Sequence, residues 1–269
     1  TPKPSSAASD VYKRQHFTTQ AHSVVLGAIA QATSSMKISS SSSIISAADP
    51  VRVFEDFATL DLISRGRAEL VAGRGSRTGL FELFGLDIND YDALFEEKLD
   101  LLMQLNANDR ITWSGQFRPD LHNMKIFPRP VDDYLPIWRA VGGRPPSAIK
   151  AGKAGIPMMM TTLGGPAEVF KDAVDAYRQA GEDAGHDMSP ESMPLSTASL
   201  FYTAKTSQQA LDEYYPHLNV GMSFIRGAGY PKEQFNAATV ERDALMVGSP
   251  QQIVEKILYQ HELYGHQRF

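Results

Sequence analysis

The chain has 269 residues, 42% of them hydrophobic and 21% charged, enough to enclose a sizeable core and within the range of one large domain. Its 26 basic and 31 acidic side chains give a net charge of −5, which argues against the concentrated positive field that nucleic acid or an anionic membrane attracts. With no cysteine there is no disulfide, thiolate metal site or cysteine nucleophile, a composition that fits the cytoplasm, and no run of about 18 apolar residues is present to span a bilayer.

Residues 1–15 are rich in Ser, Pro and Ala and carry no period of 2 or 3.6, so they are expected to be a non-native or disordered leader ahead of a single domain at 16–269. Lys13 and Arg14 before the apolar run 23–30 suggest a secretory leader. However, the run is short and Val24, Val25, Ala28 and Ile29 recur at helical spacing, so an ordinary helix explains it better.

From there helical patterns alternate with short β-like runs, the signature of parallel βα units. A helix at 22–33 precedes a strand at 36–45, and Asp49-Pro50 opens a helix to about residue 63 with Val53, Phe54, Phe57, Ala58 and Leu60 on its apolar side. A strand at 67–72 ends in the loop Gly73-Arg74-Gly75-Ser76, after which Asp90 is placed as the N-cap of a helix over 91–105. ITWSGQFR, at 111–118, reads as a hairpin turning at Ser114-Gly115, and the stretch to Pro130 as decoration.

Alternation resumes with a strand at 136–141, a helix at 145–153, a strand at 156–162 and a long helix at 166–184. Val169, Phe170, Ala173, Val174 and Tyr177 face inward on that helix, and Gly185 ends it. A strand at 195–203 leads to a helix at 207–218, while 220–247 lacks a period and reads as a lid-like segment. Ser249-Pro250-Gln251-Gln252 starts a helix with Val254, Ile257 and Leu258 on its apolar face, ended by Gly265 and followed by no further strand. The count comes to about six strands, where a closed barrel has eight.

Three segments could carry chemistry. Gly73-Arg74-Gly75 follows a strand, where barrel enzymes place their sites; its glycines admit a ligand and its arginine can clamp a phosphate, although a tight turn with a solvated arginine would look the same. Thr78 stands where the dinucleotide fingerprint needs its third glycine, which argues against a Rossmann fold. Gly142-Gly143-Arg144-Pro145-Pro146-Ser147 also follows a strand and opens a helix, so unpaired N–H groups and a hydroxyl converge there. Ser39–Ser43 puts five hydroxyls where β-branched residues are usual, leaving room for a flat ligand or marking a poorly packed strand. His261 and His266 are five apart, on different helix faces rather than at metal-pair spacing, His186 falls in a helix-ending turn, and Asp87–Asp92 suits capping better than calcium.

The order of segments resembles the bacterial luciferase-like flavin-dependent monooxygenase family from His16 to Phe269. The resemblance is carried by ADPVRVFEDFATLDLISRGRAELVAGRGS, FGLDINDYDALFEEKLDLL, PIWRAVGG and VGSPQQIVEKIL. It implies an α/β fold, a (β/α)8 TIM barrel, here incomplete, with the first two strands and the last strand missing or partial. It further implies reduced FMN, or a deazaflavin in sister groups, at the C-terminal ends of the strands. The resemblance puts the flavin phosphate on Arg74 and on Gly142, Gly143 and Ser147, and a non-prolyl cis peptide near Ser41-Ser42 beneath the flavin ring. Of the family's paired histidines His16 matches the second, the catalytic candidate here, while Gln15 stands at the first. The activity implied is oxygenation of a small organic substrate by dioxygen and reduced FMN from a separate flavin reductase, with a homodimer suggested. The alternatives are a deazaflavin-dependent oxidoreductase and a non-catalytic flavin-binding relative.

Overall fold

The computed structural model describes residues 21–75, 78–226 and 228–269. Its contacts divide the chain into two compact units that meet between Ala140 and Val141 in sequence.

The first unit is built on parallel strands. Helix α1 (His22–Ala32) buries Leu26 and Ala30, whereas Val24 is 71% exposed, so its inner face is offset from the one its valines suggested. Strand β1 (Ile38–Ile44) leads to α2 (Pro50–Ser64), where Asp49 accepts a hydrogen bond from the Val51 N–H and Pro50 takes the first helical position. The five apolar residues expected inside, Val53, Phe54, Phe57, Ala58 and Leu60, are all buried. Buried Asp61 belongs with them because its two carboxylate oxygens accept the backbone N–H groups of Ala68 and Val131. Strand β2 (Ala68–Gly73) is buried throughout and pairs in parallel with β1 on one side. On its other side it pairs in parallel through Leu70, Val71 and Ala72 with Ile137, Trp138 and Arg139.

Three local expectations in this unit need correction. A short helix α3 (Thr78–Leu83) follows the β2 loop, unforeseen. Helix α4 (Tyr91–Ala107) forms as expected, but Asp90 makes no side-chain cap; Asp87 caps the preceding 3-10 turn by accepting from the Asn89 N–H. The hairpin is real but wider, since β3 (Arg110–Trp113) and β4 (Leu121–Lys125) pair with Trp113 opposite Leu121. The Glu97 carboxylate takes the Gln116 and Phe117 N–H groups at 2.6 and 2.9 Å, which withdraws that stretch from the ladder.

Strand β5 (Ile137–Val141) runs into the second unit, where α5 (Pro145–Lys153) and β6 (Met158–Thr161) follow. The expected long helix begins as a 3-10 turn, Ala167–Phe170, so Val169 is 58% exposed rather than inward; α6 (Lys171–Asp183) then ends before Gly185, at φ +82°. The expected strand 195–203 is two strands serving two ladders. β7 (Leu195–Ala198) pairs in parallel with β6, and β8 (Phe201–Thr203) pairs in parallel with β9 (Met246–Gly248).

Helix α7 (Ser207–Arg226) runs past its expected end with Pro216 inside it. The 220–247 segment is not irregular: α8 (Lys232–Asn236) and β9 lie in it, and Tyr230, Phe235, Ala238 and Leu245 are buried in one apolar cluster. Helix α9 (Pro250–Tyr264) starts with Ser249 accepting from the Gln252 N–H and ends at Gly265 in the left-handed region, as its sequence demanded. Its inner face is different from the apolar one, burying Ile253, Lys256, Gln260 and Tyr264 and leaving Val254 and Leu258 half exposed. The chain does continue strand-like beyond α9, because Arg268 bridges Ser196 in parallel through Thr197 N–H to Arg268 C=O at 2.9 Å.

Candidate functional site

In the first unit the candidate residues gather at the C-terminal ends of β1 and β2. The Ser41–Ser42 peptide is cis, and the ladder to β2 shifts register between Ser40 and Ser43. The serines there answer to that irregularity. Ser43 Oγ donates to Ser40 Oγ at 2.9 Å and stands 3.0 Å from His22 Nε2, while Ser40 Oγ accepts the Val71 N–H at 3.4 Å. With the Ser43 hydroxyl donating to Ser40, the His22 tautomer that protonates Nε2 completes the chain by donating to Ser43. Burial lowers the His22 pKa, with Asp56 partly opposing, so the ring is neutral at pH 7. Part of the hydroxyl set is thus spent on the strand itself, and Ser42 packs against the next strand. A Cβ built on Gly73 would stand 2.2 Å from Ser42 Oγ, so glycine is what lets β1 and β2 approach there.

Arg74 follows at the strand end, and it is partly exposed but not free. Its Nη1 donates to Asp92 at 2.7 Å, and its guanidinium lies 5.3 Å above the Tyr91 ring and 5.8 Å from Phe95. Tyr91 also donates its hydroxyl to the Gly75 carbonyl at 2.6 Å. The first turns of α4 therefore grip the β2 loop. One turn on, Glu96 holds Arg139 through two hydrogen bonds of 2.6 and 2.8 Å, with that guanidinium over Phe95 as well. Sequence reasoning found Arg74 but missed these partners. The available signal was the repeat of an aromatic and a carboxylate at i and i+4, Tyr91-Asp92 and Phe95-Glu96, on the helix that follows the loop.

In the second unit, Gly142 and Gly143 lead into α5, whose first turns carry Pro145 and a buried Ser147. Gly143 has φ +78° and its hypothetical Cβ would meet the Phe170 ring at 2.5 Å, so both conformation and packing demand glycine. At Gly142 a Cβ would meet nothing within 4 Å among the described residues, just ahead of a helix N-terminus. Ser41, Ser42 and Arg74 thus share one unit, and Gly142, Gly143 and Ser147 the other. His16 lies outside the described residues.

The histidine pair departs from expectation. His266 falls beyond α9, and the two rings come together at 5.7 Å with His261 Nδ1 2.7 Å from the His266 carbonyl. Among the described residues no His, Cys, Asp or Glu group could hold a metal ion. No helix there is long and apolar enough to cross a membrane.

Comparison with known proteins identifies a family for the chain. Residues 10–267 match the family described as luciferase-like monooxygenase. An N-acetyl-S-alkylcysteine monooxygenase of Bacillus subtilis (strain 168) is 30% identical over 182 residues, 62% of this chain and 50% of that protein. An F420-dependent glucose-6-phosphate dehydrogenase of Amycolatopsis mediterranei (strain U-32) is 28% identical over 139 residues, 51% of this chain and 40% of that protein. The chain spans about half, or less, of the length of the curated relatives it matches first. Among solved structures, the monooxygenase RslO1 from Streptomyces bottropensis aligns with a TM-score of 0.80 at 23% identity, over 92% of this chain and 74% of that one. The oxygenating constituent of 3,6-diketocamphane monooxygenase from Pseudomonas putida, in complex with FMN, aligns with a TM-score of 0.67 at 18% identity, over 91% and 75%. At these identities the structural likeness concerns the fold alone.

Proposed function

Because the chain belongs to the luciferase-like monooxygenase family, we propose that it is a flavin-dependent monooxygenase on a (β/α)8 barrel, using reduced FMN and dioxygen to oxygenate a small organic substrate. Membership makes it an oxidoreductase of the flavin or F420 kind. The finer reading is supported above all by Arg74, a cation at the end of β2 beside the close Gly73–Ser42 approach. The residues suit a phosphate-bearing flavin. Arg74 would hold phosphate oxygens through its guanidinium fork. In the second unit the proposed contacts beside Gly142 and Gly143 are the N–H and hydroxyl of Ser147, the first N–H that α5 carries after Pro145 and Pro146. Ser41 and Ser42 would lie against the ring system.

When bound, reduced FMN supplies the electrons that activate dioxygen. The chain's part is to bind, to orient and to keep water from the reacting atoms. His16 is the proposed catalytic histidine, a separate reductase the supplier of reduced flavin, and a homodimer the proposed assembly. The F420-dependent relative from Amycolatopsis favours a second reading, hydride transfer with a deazaflavin on the same residues.

Anaerobic titration with reduced FMN and with reduced F420, followed by exposure to labelled dioxygen with aldehydes, sulfonates and thioethers, separates the readings. Tighter binding of reduced FMN and label in the product are expected. Tighter F420 binding with no label in any product would transfer the assignment to the deazaflavin reading. FMN binding without oxygen uptake would leave a non-catalytic flavin binder.

A further inference from the structure

We infer that Asp92 is an exchangeable counter-ion for Arg74, occupying the guanidinium until a phosphate oxyanion takes its place, and so sets how strongly the site favours a phosphorylated flavin. The inference rests on the reading of Arg74 as the phosphate-binding residue and goes one step beyond it. Two ion pairs one helical turn apart on α4 (Tyr91–Ala107) show the contrast that carries it. Arg139 is 1% exposed and bonded to both oxygens of Glu96, so separating that pair would strand a buried charge. Arg74 meets Asp92 through Nη1 at 2.7 Å, and the two side chains are 23% and 64% exposed, so Asp92 can turn into water with little desolvation to reverse.

The rest of the Arg74 surroundings stays in place when Asp92 leaves. Its guanidinium rests over Tyr91 and Phe95, and Tyr91 ties the loop through the Gly75 carbonyl at 2.6 Å. Aromatic contacts and a neutral hydrogen bond thus help to hold the loop, while Asp92 is the carboxylate set against the Arg74 charge. An incoming phosphate either displaces that carboxylate or sits beside it against like-charge repulsion. In both cases Asp92 opposes a phosphorylated ligand specifically. It is a positioning and selectivity residue that acts through Arg74.

The test uses the whole chain and two probes that differ only in the phosphate, FMN and riboflavin, with dissociation constants measured for the native chain and for Asp92→Asn, Asp92→Ser, Arg74→Gln and the double variant Arg74→Gln/Asp92→Asn. The native chain should prefer FMN, and Arg74→Gln should weaken that preference sharply. Asp92→Asn should raise the FMN-to-riboflavin preference by about two- to fivefold, the size of one exposed ion pair, with riboflavin affinity unchanged and no effect in the Arg74→Gln background. Asp92→Ser should behave likewise. A preference that falls in both Asp92 variants would make Asp92 a brace, and an unchanged one a spectator; either overturns the inference while leaving Arg74 in its role. No preference in the native chain would instead remove the Arg74 reading, and this inference with it.

Discussion

Replacing Gly73 with alanine probes the contact on which the candidate site is built. The added Cβ would stand 2.2 Å from Ser42 Oγ and 2.9 Å from Ser42 Cβ, with Ser43 O at 3.6 Å. Ser42 is 6% exposed and Gly73 ends a strand buried along its length, so the Ser42 hydroxyl can rotate only within a packed site and its Cβ is fixed to the backbone. Overpacking of this kind costs about 1–3 kcal/mol. Both tryptophans of the chain, Trp113 and Trp138, are buried in the first unit, so denaturant unfolding followed by tryptophan fluorescence reads the surroundings of that unit's core. Gly73→Ala should lower the midpoint accordingly. Adding Ser42→Ala should recover only part of the loss, because the Cβ contact at 2.9 Å remains, and adding Ser42→Gly should recover most of it. Gly142→Ala, whose Cβ would meet nothing within 4 Å among the described residues, should shift stability by no more than about 0.5 kcal/mol. A Gly73→Ala midpoint equal to the native one, or loss undiminished by Ser42→Gly, would refute the reasoning.

Three further perturbations follow. Glu96→Ala leaves Arg139, 1% exposed, without its carboxylate and should destabilise the first unit by about 3 kcal/mol in the same fluorescence assay; a loss under about 1 kcal/mol would mean that water replaces the pair. Burial lowers the Lys256 pKa from 10.5 to about 8, Asp243 partly opposing, so the folded chain binds fewer protons than the unfolded chain between those values. That contribution therefore makes stability rise with pH, and burial of Lys98 acts in the same direction. Burial also raises the Tyr177 and Tyr264 pKa values, an opposing loss that begins near pH 10, so the window is pH 8 to 10. Unfolding at pH 9 should take up protons, and Lys256→Met should reduce that uptake by nearly one per molecule; equal uptake in both would contradict the burial argument. On α9, Val254→Lys and Leu258→Lys should be tolerated within about 0.5 kcal/mol in thermal unfolding, whereas Ile253→Ala should lose about 2 kcal/mol or more; the reverse order would put the apolar stripe inside.

Elements with strong local punctuation could be read from sequence. Asp49-Pro50 and Ser249-Pro250 place a cap and a proline where the next N–H groups need them, and both helices begin there. Helix faces were harder, since periodicity assigns polar side chains to solvent. Lys256 defeats that rule because its ammonium donates to the carbonyls of Asp243 and Leu245, partners supplied by a distant loop. The hairpin was mistaken for a similar reason, as Glu97 on α4 captures two N–H groups that a two-residue turn would have left to the ladder. The serine strand was recognised as unusual, and the cis bond stands where family resemblance put it, at Ser41–Ser42. The use of Ser40 and Ser43 as partners for one another and for His22 depends on a register shift that no pattern of residues announces. Arg74 was visible through its glycines, but its engagement with Asp92 and Tyr91 arises only when α4 folds back on the loop.

The central proposal is that Arg74 holds the phosphate of a bound flavin, and a crystal structure of the chain with FMN tests it most directly. The account predicts phosphate oxygens within about 3.2 Å of the Arg74 guanidinium. A phosphate bound elsewhere, with Arg74 still held by Asp92, would contradict it.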